Sequence, residues 1–120
     1  ASLDIARMNA QSIKIKNVLF LNYDVSGFKK KVNTVVQNPP FGVQRKHADK
    51  EFLIAAMKFS QSIYSFHKLE SKEFVEALAR EYNFRLEDVL TFSFNLKRTQ
   101  KFHVYENYYV DVGCFLLRKI

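Results

Sequence analysis

The sequence predicts an α/β domain with a mostly parallel sheet and a C-terminal antiparallel hairpin. Three observations predict it. Short apolar or β-branched runs alternate with stretches of helical periodicity, the last two runs have no helix between them, and 48% of the 120 residues are hydrophobic. Such alternation lays helices over a mostly parallel sheet, covering both faces. Two strands without a crossover helix pair as an antiparallel hairpin. The hydrophobic share, with twelve Phe, supports a real core at this length. A single domain over residues 1–120 is the expected organisation.

Residues 2–11, SLDIARMNAQ, read as a helix with Ser2 as N-cap. Residues 17–25, NVLFLNYDV, are a short apolar run, most simply a buried strand ending at Asp24. Ser26 and Gly27 make a turn, Lys29, Lys30 and Lys31 form a solvated charge run, and VNTVVQ (32–37) is a second buried strand. Phe52, Ala56 and Phe59, with Leu53 and Met57 beside them, give an amphipathic helix over 49–60. SIYSFH (62–67) is a strand. Ser71 caps a helix through Tyr82, in which Phe74, Leu78 and Tyr82 recur every fourth residue. Phe92, Phe94 and Leu96 alternate with Thr91, Ser93 and Asn95, the period of a half-buried strand. A last strand, YYVDVGCFLL, runs over 108–117. Its connection to the previous one, KRTQKFHVYEN, is long and basic with aromatics interleaved.

Nineteen basic residues against twelve acidic ones give a net charge of +7. That balance favours a polyanionic partner, nucleic acid ahead of an anionic membrane, although a merely basic surface has the same sign. One cysteine, Cys114, rules out an internal disulfide and fits a reducing cytosol. No run approaches the ~20 apolar residues of a membrane span, and Asp4 and Arg7 interrupt any apolar leader. His47, His67, His103 and Cys114 show no metal-ligand spacing. Ser65 and His67 share a strand without a nucleophile elbow, so no hydrolase triad is expected.

The most particular stretch is Asn38-Pro39-Pro40-Phe41, which follows the second strand. Pro39 restricts Asn38 to extended geometry, and neither proline has a backbone N–H to donate. Asn38 is thereby held at the carboxyl end of a central strand, where ligands bind in open α/β sheets. Its carboxamide oxygen and the Pro39 carbonyl can both accept from an exocyclic NH2, while Phe41 stacks on the ring that carries it. When that nitrogen attacks an electrophilic methyl, it passes from sp2 to sp3 and its N–H groups become more acidic. The acceptors then bind the transition state better than the ground state.

Asn38-Pro39-Pro40-Phe41 resembles the [N/D]-P-P-[F/Y/W] signature of class I, S-adenosylmethionine-dependent amino methyltransferases. The wider stretch NPPFGVQRKHADKEFL, with SIYSFHK behind it and KRTQKFH further on, is similar to the methyltransferase-like-five group of RNA adenine-N6 methyltransferases in its archaeal form. The resemblance covers essentially all 120 residues. It implies a Rossmann-like sheet lacking its first two strands, the C-terminal two-thirds of a catalytic domain. The group's glycine-rich loop has no counterpart, because Gly27, Gly42 and Gly113 are isolated. The resemblance also implies roles. Asn38, Pro39, Pro40 and Phe41 would hold the target adenine, and Asp24 would accept from the adenine amine of S-adenosylmethionine, with Val25 packed on that ring. Eukaryotic members act with a small zinc-binding activator.

The basic groups Arg45, Lys46 and His47, and Lys97, Arg98, Lys101 and His103, are placed to contact RNA phosphates beside Asn38, or else are ordinary solvated loops. The expected activity is methyl transfer to an RNA adenine N6, ribosomal RNA first, in the cytoplasm. Methyl transfer to a protein glutamine amide, and RNA binding without catalysis, are the alternatives.

Overall fold

The computed structural model describes residues 2–40, 49–97 and 107–120, with the backbone alone for 94–97 and 107–110. Three helices, α1 (Ser2–Ser12), α2 (Lys50–Phe59) and α3 (Lys72–Glu81), accompany four strands. These are β1 (Thr34–Gln37), β2 (Ser62–Lys68), β3 (Phe84–Lys97) and β4 (Asn107–Lys119), in the spatial order β1-β2-β4-β3. The sheet is mixed. β1 and β2 are parallel, joined by α2 as the crossover, whereas β4 is antiparallel to both β2 and β3. The C-terminal hairpin is therefore present, and its last strand lies inside the sheet.

Burial along β2 alternates strictly: Ile63, Ser65 and His67 are buried, and the residues between them half-buried. Ile63 and Ser65 face Leu117 and Phe115 of β4 across the ladder. These strands, Phe84 of β3, Leu53, Ala56 and Met57 of α2, and Val75, Leu78 and Ala79 of α3 form one apolar cluster. Leu53, Ile63, Phe84, Phe115 and Leu117 are each fully buried, which contributes about 1.5–3 kcal/mol per side chain. Both α2 and α3 thus lie over one face of the sheet, where coverage of both faces is expected from the sequence. The opposite face leaves Val36, Leu90 and Phe92 exposed, Val36 at 73%.

Two features of α3 and β3 follow from local chemistry. α3 ends at Glu81 with Tyr82 as C-cap, and the next residue, Asn83, has a φ of 62°, a left-handed conformation that Asn tolerates, so the chain reverses directly into Phe84. Ser71 occupies the N-cap position of α3 without a side-chain capping bond, contrary to expectation. In β3 the ladder shifts register between Leu86 and Asp88. This bulge turns the strand over: Phe84 and Leu86 face the helices before it, and Val89, paired with Phe115, faces them after it. Phe92 is consequently on the helix-free side, 45% exposed and 6.5 Å from the Phe66 ring.

The strand expected over 17–25 does not form. The stretch runs as irregular chain into a 3-10 turn at Val25–Gly27, with Val18, Leu19, Leu21 and Tyr23 exposed. A strand is held by its ladder, and among the described residues no neighbour pairs with this one. β1 is also shorter and less buried than expected. It is an edge strand of the four, not a central one. Helix α1 has no buried residue, and no described helix is long and apolar enough to cross a membrane.

Candidate active site at the carboxyl end of the sheet

Asn38 directly follows the last residue of β1 and is exposed, Pro39 is buried, and Pro40 is exposed. The buried ring anchors the segment while its steric bulk keeps Asn38 extended, so the carboxamide is presented outward from a fixed backbone. Phe41, Arg45 and Lys46 lie outside the described residues.

The residue before Asn38 is tied inward. Gln37 pairs with Ser65 in the parallel ladder, and its Nε2 donates to Ser65 Oγ at 2.9 Å. Ser65 Oγ lies 2.6 Å from His67 Nε2, and His67 Nδ1 lies 2.5 Å from Asp49 Oδ2. With the proton on Nδ1, every contact has a donor and an acceptor: Gln37 to Ser65, Ser65 to His67, His67 to Asp49. Ser65 and His67 are 0% exposed and Asp49 5%. Asp49 stands at the N-cap position of α2 but makes no side-chain capping bond there; its carboxylate is turned toward His67. The imidazole meets Phe115 edge-on, with centroids 5.5 Å apart and planes at 89°. The order Ser–His–Asp is that of a hydrolase triad. No substrate carbonyl can reach a serine that is fully buried and already accepts from Gln37.

Asp24 precedes the 3-10 turn, and its Oδ1 accepts from the Ser26 backbone N–H and from Ser26 Oγ, both at 3.1 Å. This fixes the carboxylate at the rim of a cavity of about 730 Å³ lined by Leu19, Leu21, Tyr23, Asp24, Val25, Phe28, Glu51 and Phe52. Its volume is in the range of small-molecule sites, and apolar walls with a few polar groups are the usual composition. Glu51 and Phe52 belong to the first turn of α2, and Asp49 immediately precedes it. One helix start therefore serves both the Asp24 cavity and the buried tie to Gln37.

Lys97 is the last residue of β3, opposite Asn107. β2 ends at Lys68, opposite Val112, and Val112 is opposite Phe92. The β3–β4 ribbon therefore continues beyond the end of β2 by five residues, roughly 17 Å at about 3.4 Å per residue. It does so at the same end of the sheet as Asn38. Arg98 and Lys101 fall outside the described residues. Among the described residues no cluster of His, Cys, Asp or Glu could hold a metal ion. Cys114 is buried, which pushes its thiol up from its ordinary value.

Sequence reasoning missed Gln37 and Asp49 and discounted Ser65 and His67. The available signal was two polar residues at inward positions of an otherwise apolar strand, Ile63-x-Ser65-x-His67. Buried polar groups need partners, but nothing in the sequence pointed to Asp49, eighteen residues before His67.

No protein-family model matches the chain. It is 31% identical over 108 residues to the rRNA N(6)-adenosine-methyltransferase METTL5 of Danio rerio, covering 85% of this chain and 52% of the relative. An uncharacterised protein of Methanocaldococcus jannaschii is 30% identical over 101 residues, covering 84% of the chain and 46% of that protein. In structure the chain superposes on a proposed RNA methyltransferase of Pyrococcus horikoshii with a TM-score of 0.79 and 34% identity, over 98% of this chain and 58% of the other. The chain spans about half the length of the curated relatives it matches. Its fold is that of the class I, S-adenosylmethionine-dependent methyltransferases. Within that fold, the relatives it resembles include ones named as rRNA N(6)-adenosine-methyltransferases of the methyltransferase-like-five type, in Danio rerio and Drosophila melanogaster.

Proposed function

We propose that the whole protein transfers a methyl group to the N6 amine of an adenine in RNA, with ribosomal RNA as the substrate class. The observation that carries this reading is the Asn38-Pro39 arrangement at the end of β1, an exposed carboxamide on a backbone anchored by a buried proline. The name of the zebrafish relative supports the substrate class.

The cavity beside Asp24 fits the adenosine end of S-adenosylmethionine, offering a carboxylate acceptor fixed by Ser26 and apolar walls from Val25, Phe28 and Phe52. When bound, that molecule supplies an electrophilic sulfonium methyl. The residues of this chain bind and orient the acceptor. Asn38 Oδ1 and the Pro39 carbonyl accept from the two N–H bonds of the adenine amine and direct its nitrogen lone pair, and Phe41 stacks on the flipped base. As that nitrogen becomes tetrahedral, the two acceptors take up its growing positive charge, and the proton is lost to solvent after transfer. Arg45, Lys46, Lys97, Arg98 and Lys101 neutralise RNA phosphates on either side.

The catalytic domain extends beyond residues 1–120 in this reading. RNA is the macromolecular partner and a small zinc-binding protein the activator. The cytoplasm is the compartment, where Cys114 stays reduced. The test is label transfer from methyl-labelled S-adenosylmethionine by the full-length protein, given total RNA and protein extract as competing acceptors. N6-methyladenosine is the expected product; label in protein glutamine, or in neither, overturns the proposal.

A further inference from the structure

The stretch that carries Asn38 is bracketed by Gln37 on one side and Asp49 on the other, and both ends meet on the same buried pair. Gln37 reaches Ser65, Asp49 reaches His67, and Ser65 and His67 bond to each other at 2.6 Å. We propose that this Gln37–Ser65–His67–Asp49 relay is the positioning device of the Asn38 site, setting the spacing and orientation of the two ends of the motif. The inference rests on the reading of Asn38 as the acceptor-holding residue.

Apolar side chains would fill this space at less cost, because burying polar groups is unfavourable unless each is paired. Here each is paired: no buried side-chain polar atom among the described residues lacks a partner. What directional bonds add over apolar packing is geometry, since a slide of one end breaks a short hydrogen bond and leaves a buried group unsatisfied. Acceptors that act on a transition state must sit within about 0.5 Å of their productive position. Asn38 is exposed, and the buried Pro39 ring anchors it from one side only. The relay fixes it through the adjoining Gln37, and the His67 ring at the other end of the relay packs edge-on against Phe115, itself fully buried.

The full-length protein with Ser65→Ala or Gln37→Leu tests this, with Ser62→Ala on the half-buried face of the same strand as control. For RNA methylation, each relay variant should lower kcat at least tenfold while KM for RNA and donor stays within about twofold. The double variant should be no slower than the slower single one, as expected of members of one unit. In parallel, the side-chain amide resonances of selectively labelled Asn38 should shift in both relay variants and not in Ser62→Ala. Losses of kcat that vanish when each variant is assayed the same interval below its melting temperature would make the relay structural only and overturn the inference. So would an unmoved Asn38 resonance. If the wild type methylates no RNA, the functional reading fails alone. The relay is then still decided by the Asn38 resonance, which needs no substrate.

Discussion

Replacing Gly113 with alanine should cost both stability and site geometry. Gly113 lies in β4 opposite His67 on one side and Thr91 on the other. An added Cβ would stand 2.7 Å from Phe115 Cε1 and 2.8 Å from Val89 Cγ1, against an optimum of about 3.5–4.0 Å between carbons. Neither neighbour can swing aside freely, because the Phe115 ring is fully buried and Val89 packs against the core. Overpacking of this kind costs about 1–3 kcal/mol. For a domain of about 150–250 residues, the size of the relatives it matches, each kcal/mol is worth about 2–4 °C, so melting should fall by roughly 2–12 °C. Because Phe115 also sets the edge of the His67 ring, the displaced ring should disturb the bonds to Ser65 and Asp49 as well. Scanning calorimetry measures the first effect. Gly27→Ala supplies the comparison, since a Cβ there meets nothing within 4 Å and should be neutral or stabilising by up to about 1 kcal/mol. A Gly113→Ala protein that melts with the wild type would refute the close packing.

Asn38→Ala should remove most of the single-turnover rate, about 2.7–4 kcal/mol by analogy with an oxyanion-hole donor, while donor affinity measured by calorimetry stays nearly unchanged; half the wild-type rate would exclude the assigned role. Replacing Arg45, Lys46, Lys97, Arg98 and Lys101 by Ala should flatten the slope of log affinity against log salt by about 0.7 for each phosphate no longer neutralised, and an unchanged slope would show that these charges face bulk solvent. Burial raises the Cys114 pKa from the ordinary value of 9.0. The folded state therefore holds the thiol proton more tightly than the unfolded one, and this contribution is complete below pH 9 and lost as pH rises through the folded value. The melting-temperature gap between wild type and Cys114→Ala should accordingly be constant below about pH 8 and shift against the wild type above pH 9.

Elements with strong local periodicity were legible in the sequence. The apolar repeat of Phe74, Leu78 and Tyr82 gave α3, and that of Phe52, Ala56 and Phe59 gave α2. Pairing partners were less legible, since a strand is stabilised by segments distant in sequence. NVLFLNYDV has the composition of a strand, but a run of side chains does not supply the neighbour a ladder requires. The bulge at Leu86 and Asp88 was equally hidden. It leaves the even-numbered alternation of Phe84, Leu86 and Phe92 intact in sequence while sending Phe92 to the other face. At the site, proline chemistry made the Asn38 segment readable in isolation. The Gln37–Ser65–His67–Asp49 relay was unreadable because three elements must already be folded before its members meet.

The last of the four strands in sequence is also an inner strand of the sheet: β4 fills the gap between β2 and β3. A nascent chain therefore presents β2 and β3 as two bare edges until β4 leaves the ribosome, and each edge is a template for pairing with another chain. From the end of β2 to the end of β4, synthesis takes roughly 3–10 s at ordinary rates. Chaperone dependence should peak in that interval. A message cut short before Asn107 would yield a chain in which β2 and β3 have no strand between them, an aggregating product.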